Sequence, residues 1–185
     1  MTAYRHRRAT VTALTTAVLV AALASCSSAS SGTSDDHPKG PGEAQQVTTV
    51  AKDYLHAWMA VSPADHKTMC ELKTKAARPN FGQDGGTLDG CITASKDGAA
   101  GKDDNAGRAP LDITVDHVQD VTASRKHPAG KGALATLHRD GEEPFRYAMR
   151  LIKEDGHWRV EQTTDVGDNY RHSDDPVAGV LENMG

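Results

Sequence analysis

The spacing of the apolar residues changes once along this chain, and that change constrains the fold more than any other feature. Between Glu43 and Val61 the apolar positions are Val47, Val50, Ala51, Tyr54, Leu55, Trp58 and Val61, the i, i+3, i+4, i+7 pattern of one helix face. Beyond Leu111 the spacing shortens to two. Leu111, Ile113 and Val115 alternate with polar residues, and Val118 and Val121 follow with room for a bulge. Ala133 to His138 forms a second run. Phe145, Tyr147, Met149 and Leu151 then alternate within Glu143 to Lys153. Asp155-Gly156 is a hairpin signal, and Trp158, Val160 and Gln162 are expected on one face of a last strand. Helices first and alternating strands second predict an α+β domain. Its N-terminal helices pack on a curved antiparallel sheet of three to four strands, with one packed and one wetter face.

Local signals set the remaining boundaries. Ser62-Pro63 ends the first helix and opens a second through about Ala77, because Ser caps a helix and Pro suits its first position. Leu88 to Lys96 has the residues for a helical turn, and Lys96 to Gly107 reads as an exposed loop. After Val166 no period is sustained. Val177, Val180 and Leu181 behind Pro176 allow at most a short docking turn, so residues 166–185 are expected to be a weakly ordered tail.

The N-terminus has a different character. Arg5, Arg7 and Arg8 precede an uncharged stretch from Ala9 to Leu23, and the run closes on Leu23-Ala24-Ser25-Cys26. A basic segment, a short apolar segment and a small-residue site predict a secretory signal over residues 1–25, too short to span a bilayer. Leu-Ala-Ser before Cys26 resembles the lipobox of bacterial lipoproteins. The resemblance implies cleavage before Cys26 and a diacylglycerol on its sulfur. Residues 26–42 (Ser27 to Gly42 reads SSASSGTSDDHPKGPG) lack aromatic and branched aliphatic side chains, as expected of a flexible tether. The expected location is the extracytoplasmic face of the cell membrane, held by the lipid.

With Cys26 assigned to the lipid, Cys70 and Cys91 remain as an even pair in an oxidising compartment. They are expected to form a disulfide, the alternative being two buried thiols. The signal carries three of the 21 basic residues and none of the 25 acids. The remainder therefore has 18 basic against 25 acidic residues, a formal charge of −7. With no basic stripe, nucleic acid is not an expected partner.

Tyr54-Leu55-x-x-Trp58 in the long helix, Cys70 in the next and the terminal Tyr147…Gly156-His157-Trp158-Arg159-Val160 hairpin resemble small actinobacterial lipoproteins with a nuclear-transport-factor-2-like, or cystatin-like, domain. The resemblance covers about Glu43 to Thr164 and implies a cone: a curved sheet wrapped around a long helix, with a mouth at one end. Some proteins of this shape use an Asp/His pair in the cone and many are not catalytic. No pair here matches such a motif, so no catalytic residue is assigned.

The histidines beyond the signal (His37, His56, His66, His117, His127, His138, His157 and His172) make no metal-ligand spacing and are expected to be solvated. Asp116 and His117, as neighbours in a strand, should face opposite ways. Asp103-Asp104-Asn105 lacks the spacing of a calcium loop. No metal or cofactor is expected. Tyr54 and Trp58, one turn apart, should meet Tyr147, Met149 and Trp158 from the sheet, either as core or as the lining of a pocket. The functional expectation is a non-catalytic binding module for an envelope protein or a small apolar ligand. The alternatives are an acid–base enzyme in the cone and a structural subunit of an envelope complex.

Overall fold

The computed structural model describes residues 41–59, 62–78, 86–99 and 111–183. The signal, Cys26, the tether before Pro41 and the Asp103–Gly107 segment lie outside the described residues. Three helices come first: α1 (Glu43–Met59), α2 (Pro63–Leu72) and α3 (Leu88–Ala99). Four strands follow: β1 (Asp112–Val121), β2 (Gly130–His138), β3 (Phe145–Glu154) and β4 (His157–Asp165). The chain closes with α4 (Asp168–Arg171) and α5 (Pro176–Asn183). The strands form one antiparallel meander in the order β1-β2-β3-β4, curved and unclosed, with helices packed on it.

The capping signals act as their chemistry demands. Ser62 caps α2 by accepting from the Asp65 backbone N–H at 3.4 Å. The hydroxyl of Thr87 accepts from the Gly90 N–H at 3.0 Å and starts α3. Asp155 (φ 53°) and Gly156 (φ 81°) make the tight β3–β4 turn, both in the left-handed region that primed hairpin turns require. Cys70 on α2 and Cys91 on α3 form a disulfide, with Cα atoms 5.9 Å apart. The α2 helix stops at Leu72 instead of running to Ala77. Lys73 leaves the helical path to pair in parallel with Val160, and the Thr74 N–H donates to the Val160 carbonyl at 3.0 Å.

Two bulges decide which residues meet. Between Asp116 and Gln119, β1 takes three steps while β2 takes two, and His117 absorbs the extra residue with φ 49°. One extra residue inverts the alternation. Ile113 and Val115 therefore belong to the α1 face, whereas Val121 turns to the other. The same bulge corrects the expectation for Asp116 and His117: the bend lets Nδ1 of His117 lie 2.7 Å from Asp116 Oδ1, both side chains exposed. On the other side of the sheet Arg150 pairs with Gln162 and Leu151 with Val160, which leaves Glu161 as the extra residue of β4. Gln162 accordingly faces away from Trp158 and Val160, not alongside them.

The α1 face holds the larger core. Val47, Ala51, Tyr54 and Leu55 of α1 meet Ile113, Ala133, Ala135, Leu137, Met149, Leu151 and Val160 of the sheet, with Cys70 and Cys91 at the flank. The opposite face is not simply wet. The segment expected to be a weakly ordered tail carries α5, whose Val177, Val180 and Leu181 are fully buried against Val121, Leu134 and Ala148. Asp175 caps it, its carboxylate accepting from the Ala178 N–H at 2.9 Å, and Pro176 occupies the first turn. Close approach is possible because position 132 is glycine: a Cβ there would lie 2.5 Å from Val177 Cγ1 and 2.6 Å from Val121 Cγ1.

At the centre of this second face sits Arg150, fully buried. Its Nη1 donates to the Thr122 and Pro128 carbonyls at 2.6 and 2.7 Å. Nη2 donates to the Leu181 carbonyl at 2.9 Å, and Nε to Gln162 Oε1 at 3.3 Å. A guanidinium placed under the C-terminal carbonyls of a helix satisfies acceptors the helix cannot and opposes the dipole. Gln119 of β1 to Asp175, and Thr122 just past β1 to Glu182, add bonds to both ends of α5.

Candidate functional site

Aromatic side chains run from the core toward one end of the sheet. Tyr54 and Trp58, one turn apart on α1, stack with ring centroids 6.1 Å apart, and Trp58 meets Tyr147 of β3 edge-to-face at 5.3 Å. Tyr54 is buried, which pushes its phenol up to about 12 and keeps it neutral. Tyr147 is half-buried, and burial together with the Asp165 carboxylate raises its phenol as well.

Where this row reaches the end of the sheet, a groove of about 470 Å³ opens. The end of α1 supplies Met59, the entry to β1 supplies Leu111, the end of β2 supplies Leu137, and β3 supplies Phe145 and Tyr147. The β2–β3 turn contributes Glu142 and Glu143, and Arg139 stands just past the end of β2. Phe145 is 58% exposed, the one large hydrophobic side chain among the described residues to be so. The volume lies in the range of small-ligand sites, which are mostly apolar with a few polar groups.

The five residues expected to gather around a pocket are divided. Tyr54 and Met149 are interior side chains of the α1 face, and Trp58 packs partly buried against them. Only Tyr147 lines the large groove. Trp158 lines a second, shallower one of about 350 Å³ with Pro41, Gln46, Val50 and Leu72, beneath the Nζ of Lys153 at 5.0 Å. Met59, Leu137, Arg139 and Phe145 were not singled out from sequence. Their common signal is position: the last turn of α1 and both strand ends of one hairpin converge on one end of the sheet.

A second constellation lies at the opposite end. Glu161, the bulged residue of β4, is buried. It accepts from the Thr74 hydroxyl at 2.5 Å, and its other oxygen lies 3.0 Å from His127 Nδ1. Thr74 Oγ1 also accepts from the Ala77 N–H at 3.0 Å. Lys73 is buried beside them with Nζ over the Tyr54 ring at 5.5 Å; burial lowers it to about 8, the Glu161 charge opposing that shift. His127 is thus half-buried and paired, and His66 is buried, which corrects the expectation that the histidines are solvated; His56, His117, His138, His157 and His172 are exposed. Both oxygens of Glu161 are occupied by protein groups, so the cluster ties the start of β2 to the α2 exit. Among the described residues no group of three or more His, Cys, Asp or Glu could hold a metal ion. No helix among them is long and apolar enough to cross a membrane.

No protein-family model matches this chain, and neither does any curated protein or any solved structure.

Proposed function

We propose that this chain is a membrane-anchored extracytoplasmic lipoprotein whose folded unit is a non-catalytic binding module of the nuclear-transport-factor-2-like kind. Its ligand sits in the groove between Met59 and Tyr147. The observation that carries the reading is the separation of cavity and chemistry. The groove is walled by Met59, Leu111, Leu137, Phe145 and Tyr147 together with Arg139, Glu142 and Glu143, while buried Glu161 and half-buried His127 lie elsewhere and are tied by protein hydrogen bonds. Mostly apolar walls with a few charged groups, Arg139, Glu142 and Glu143, suit a site that holds a ligand. The Leu23-Ala24-Ser25-Cys26 sequence supports the anchor. Two or three acyl chains at about 0.8 kcal/mol per buried methylene hold a protein firmly on a bilayer.

Fractionation of cells expressing the full chain tests the anchor. The wild type is expected in the membrane fraction and Cys26→Ser in the soluble extracytoplasmic fraction. A variant that stayed fully membrane-bound would overturn the anchor. An acid–base enzyme is the second reading, favoured by the Glu161–His127 pair alone.

A further inference from the structure

We infer that the groove takes an amphiphile with a singly charged anionic head, a carboxylate or phosphodiester, bound to Arg139 with its apolar tail along Met59, Leu137 and Tyr147. This deepens the binding-module reading and rests on it. Arg139 has a side chain that is only 14% exposed. Its Nε is buried without a hydrogen-bond partner. The carboxylate paired with it is that of Glu142, whose Oε2 lies 3.5 Å from Nη1, beyond the 2.7–2.9 Å or so of a charge-assisted hydrogen bond. Arg150 shows what this fold does with a buried guanidinium that belongs to the architecture: four acceptors close around it. Arg139 is largely desolvated yet poorly supplied, and a buried charge in that condition is costly. An oxyanion that presents two acceptor oxygens suits its fork of donors.

The surroundings define the rest of the ligand. Apart from Arg139 and the two glutamates, the walls are apolar or aromatic, and exposed Phe145 lies at the lip, which suits a hydrocarbon tail. Glu142 and Glu143 oppose a second negative charge, so a monoanion fits better than a dianion. Glu142 also competes with the ligand for Arg139. It is 39% exposed on the β2–β3 turn, where its N–H donates to the Arg139 carbonyl at 3.0 Å, so its side chain has water to turn into.

Calorimetry on the full-length Cys26→Ser chain, with probes held below their micellar concentrations, tests this. The probes are decanoate, decanol, decyltrimethylammonium and decanoyl lysophosphatidylglycerol. Decanoate should bind about 10–100-fold more tightly than decanol, the range of one charge-assisted pair. Decyltrimethylammonium should bind less tightly than decanol. Arg139→Gln should bring decanoate to the decanol level, with an unchanged far-UV circular dichroism spectrum showing that the variant is folded. Glu142→Gln should strengthen decanoate binding. The lysophospholipid separates the two sources of the head: parity with decanoate points to a phospholipid-derived monoanion as readily as a fatty acid, and its exclusion confines the site to carboxylates. Equal binding of decanoate and decanol, unaffected by Arg139→Gln, would overturn the anionic head and leave the groove standing. Tighter binding of the ammonium would reverse the assigned charge. No binding of any probe would overturn both the inference and the groove.

Discussion

The two faces of the sheet are built from alternate residues of the same strands, yet they are held by different physics. The α1 face is closed by area: a 17-residue helix and a row of aliphatic and aromatic side chains, flanked by the Cys70–Cys91 disulfide. The α5 face is covered by an eight-residue helix with a handful of small apolar contacts, and a buried arginine gathers carbonyls from the β1–β2 connection and from α5. Burial without direction tolerates repacking, whereas a guanidinium with four fixed acceptors does not. The small face therefore depends on one residue in a way the large face does not.

Arg150→Met should do the most damage to the α5 face. It retains an apolar stem but strips donors from the Thr122, Pro128 and Leu181 carbonyls. Chemical denaturation should show a loss of about 3–5 kcal/mol, because several charge-assisted bonds outweigh the relief of one buried charge. Hydrogen exchange should show α5 losing protection before α1; uniform loss would mean that the faces are not separable. Replacing both Cys70 and Cys91 with Ser attacks the other face. It should cost about 3 kcal/mol for a loop closed over a separation of 21 residues, with α2 and α3 losing protection together.

Lys73→Met probes the α1 face through pH. In the folded chain Lys73 titrates at about 8, against 10.5 for an ordinary lysine. Between these values the unfolded chain binds the extra proton, so wild-type stability rises with pH across roughly 8 to 10.5. Tyr54, raised to about 12, acts in the opposite sense above pH 10, where stability falls as the unfolded phenol ionises first. Denaturation midpoints of wild type minus variant isolate the lysine. The variant should be more stable by about 1–3 kcal/mol at pH 7, and the gap should close by pH 10.5. A pH-independent gap would mean that burial of the charge is not what Lys73 costs. Phe145→Ala is the smallest change: an exposed side chain on the groove lip should alter stability by less than about 0.5 kcal/mol. A larger loss would place Phe145 in the α1-face core.

The elements that were legible in sequence are those specified by neighbours in the chain. Ser62-Pro63, Asp155-Gly156 and the α1 stripe encode their structures locally, and the α+β order follows from the change of period. What stayed hidden depends on counting across strands. The β1 bulge shows in sequence as the break in alternation after Val115, but the extra residue of β4, Glu161, leaves no such mark and moves Gln162 to the opposite face. Arg150 reads as an ordinary outward residue of an alternating strand until α5 covers it. The helix itself had its signals, Asp175-Pro176 followed by Val177, Val180 and Leu181, but two turns are too few for a period to stand out. The groove was legible only as an aromatic row, because its walls come from element ends.

An open sheet has two outer strands, and this one disposes of each differently. β4 has its backbone engaged by Lys73 and Thr74 at Val160. β1 bears exposed Asp112, Asp116 and Asp120 around the kink at His117. A broken register lined with like charges is a poor template for a strand from another molecule. Crowding copies of this domain together should therefore not make them polymerise edge to edge, although the sheet is open at both β1 and β4.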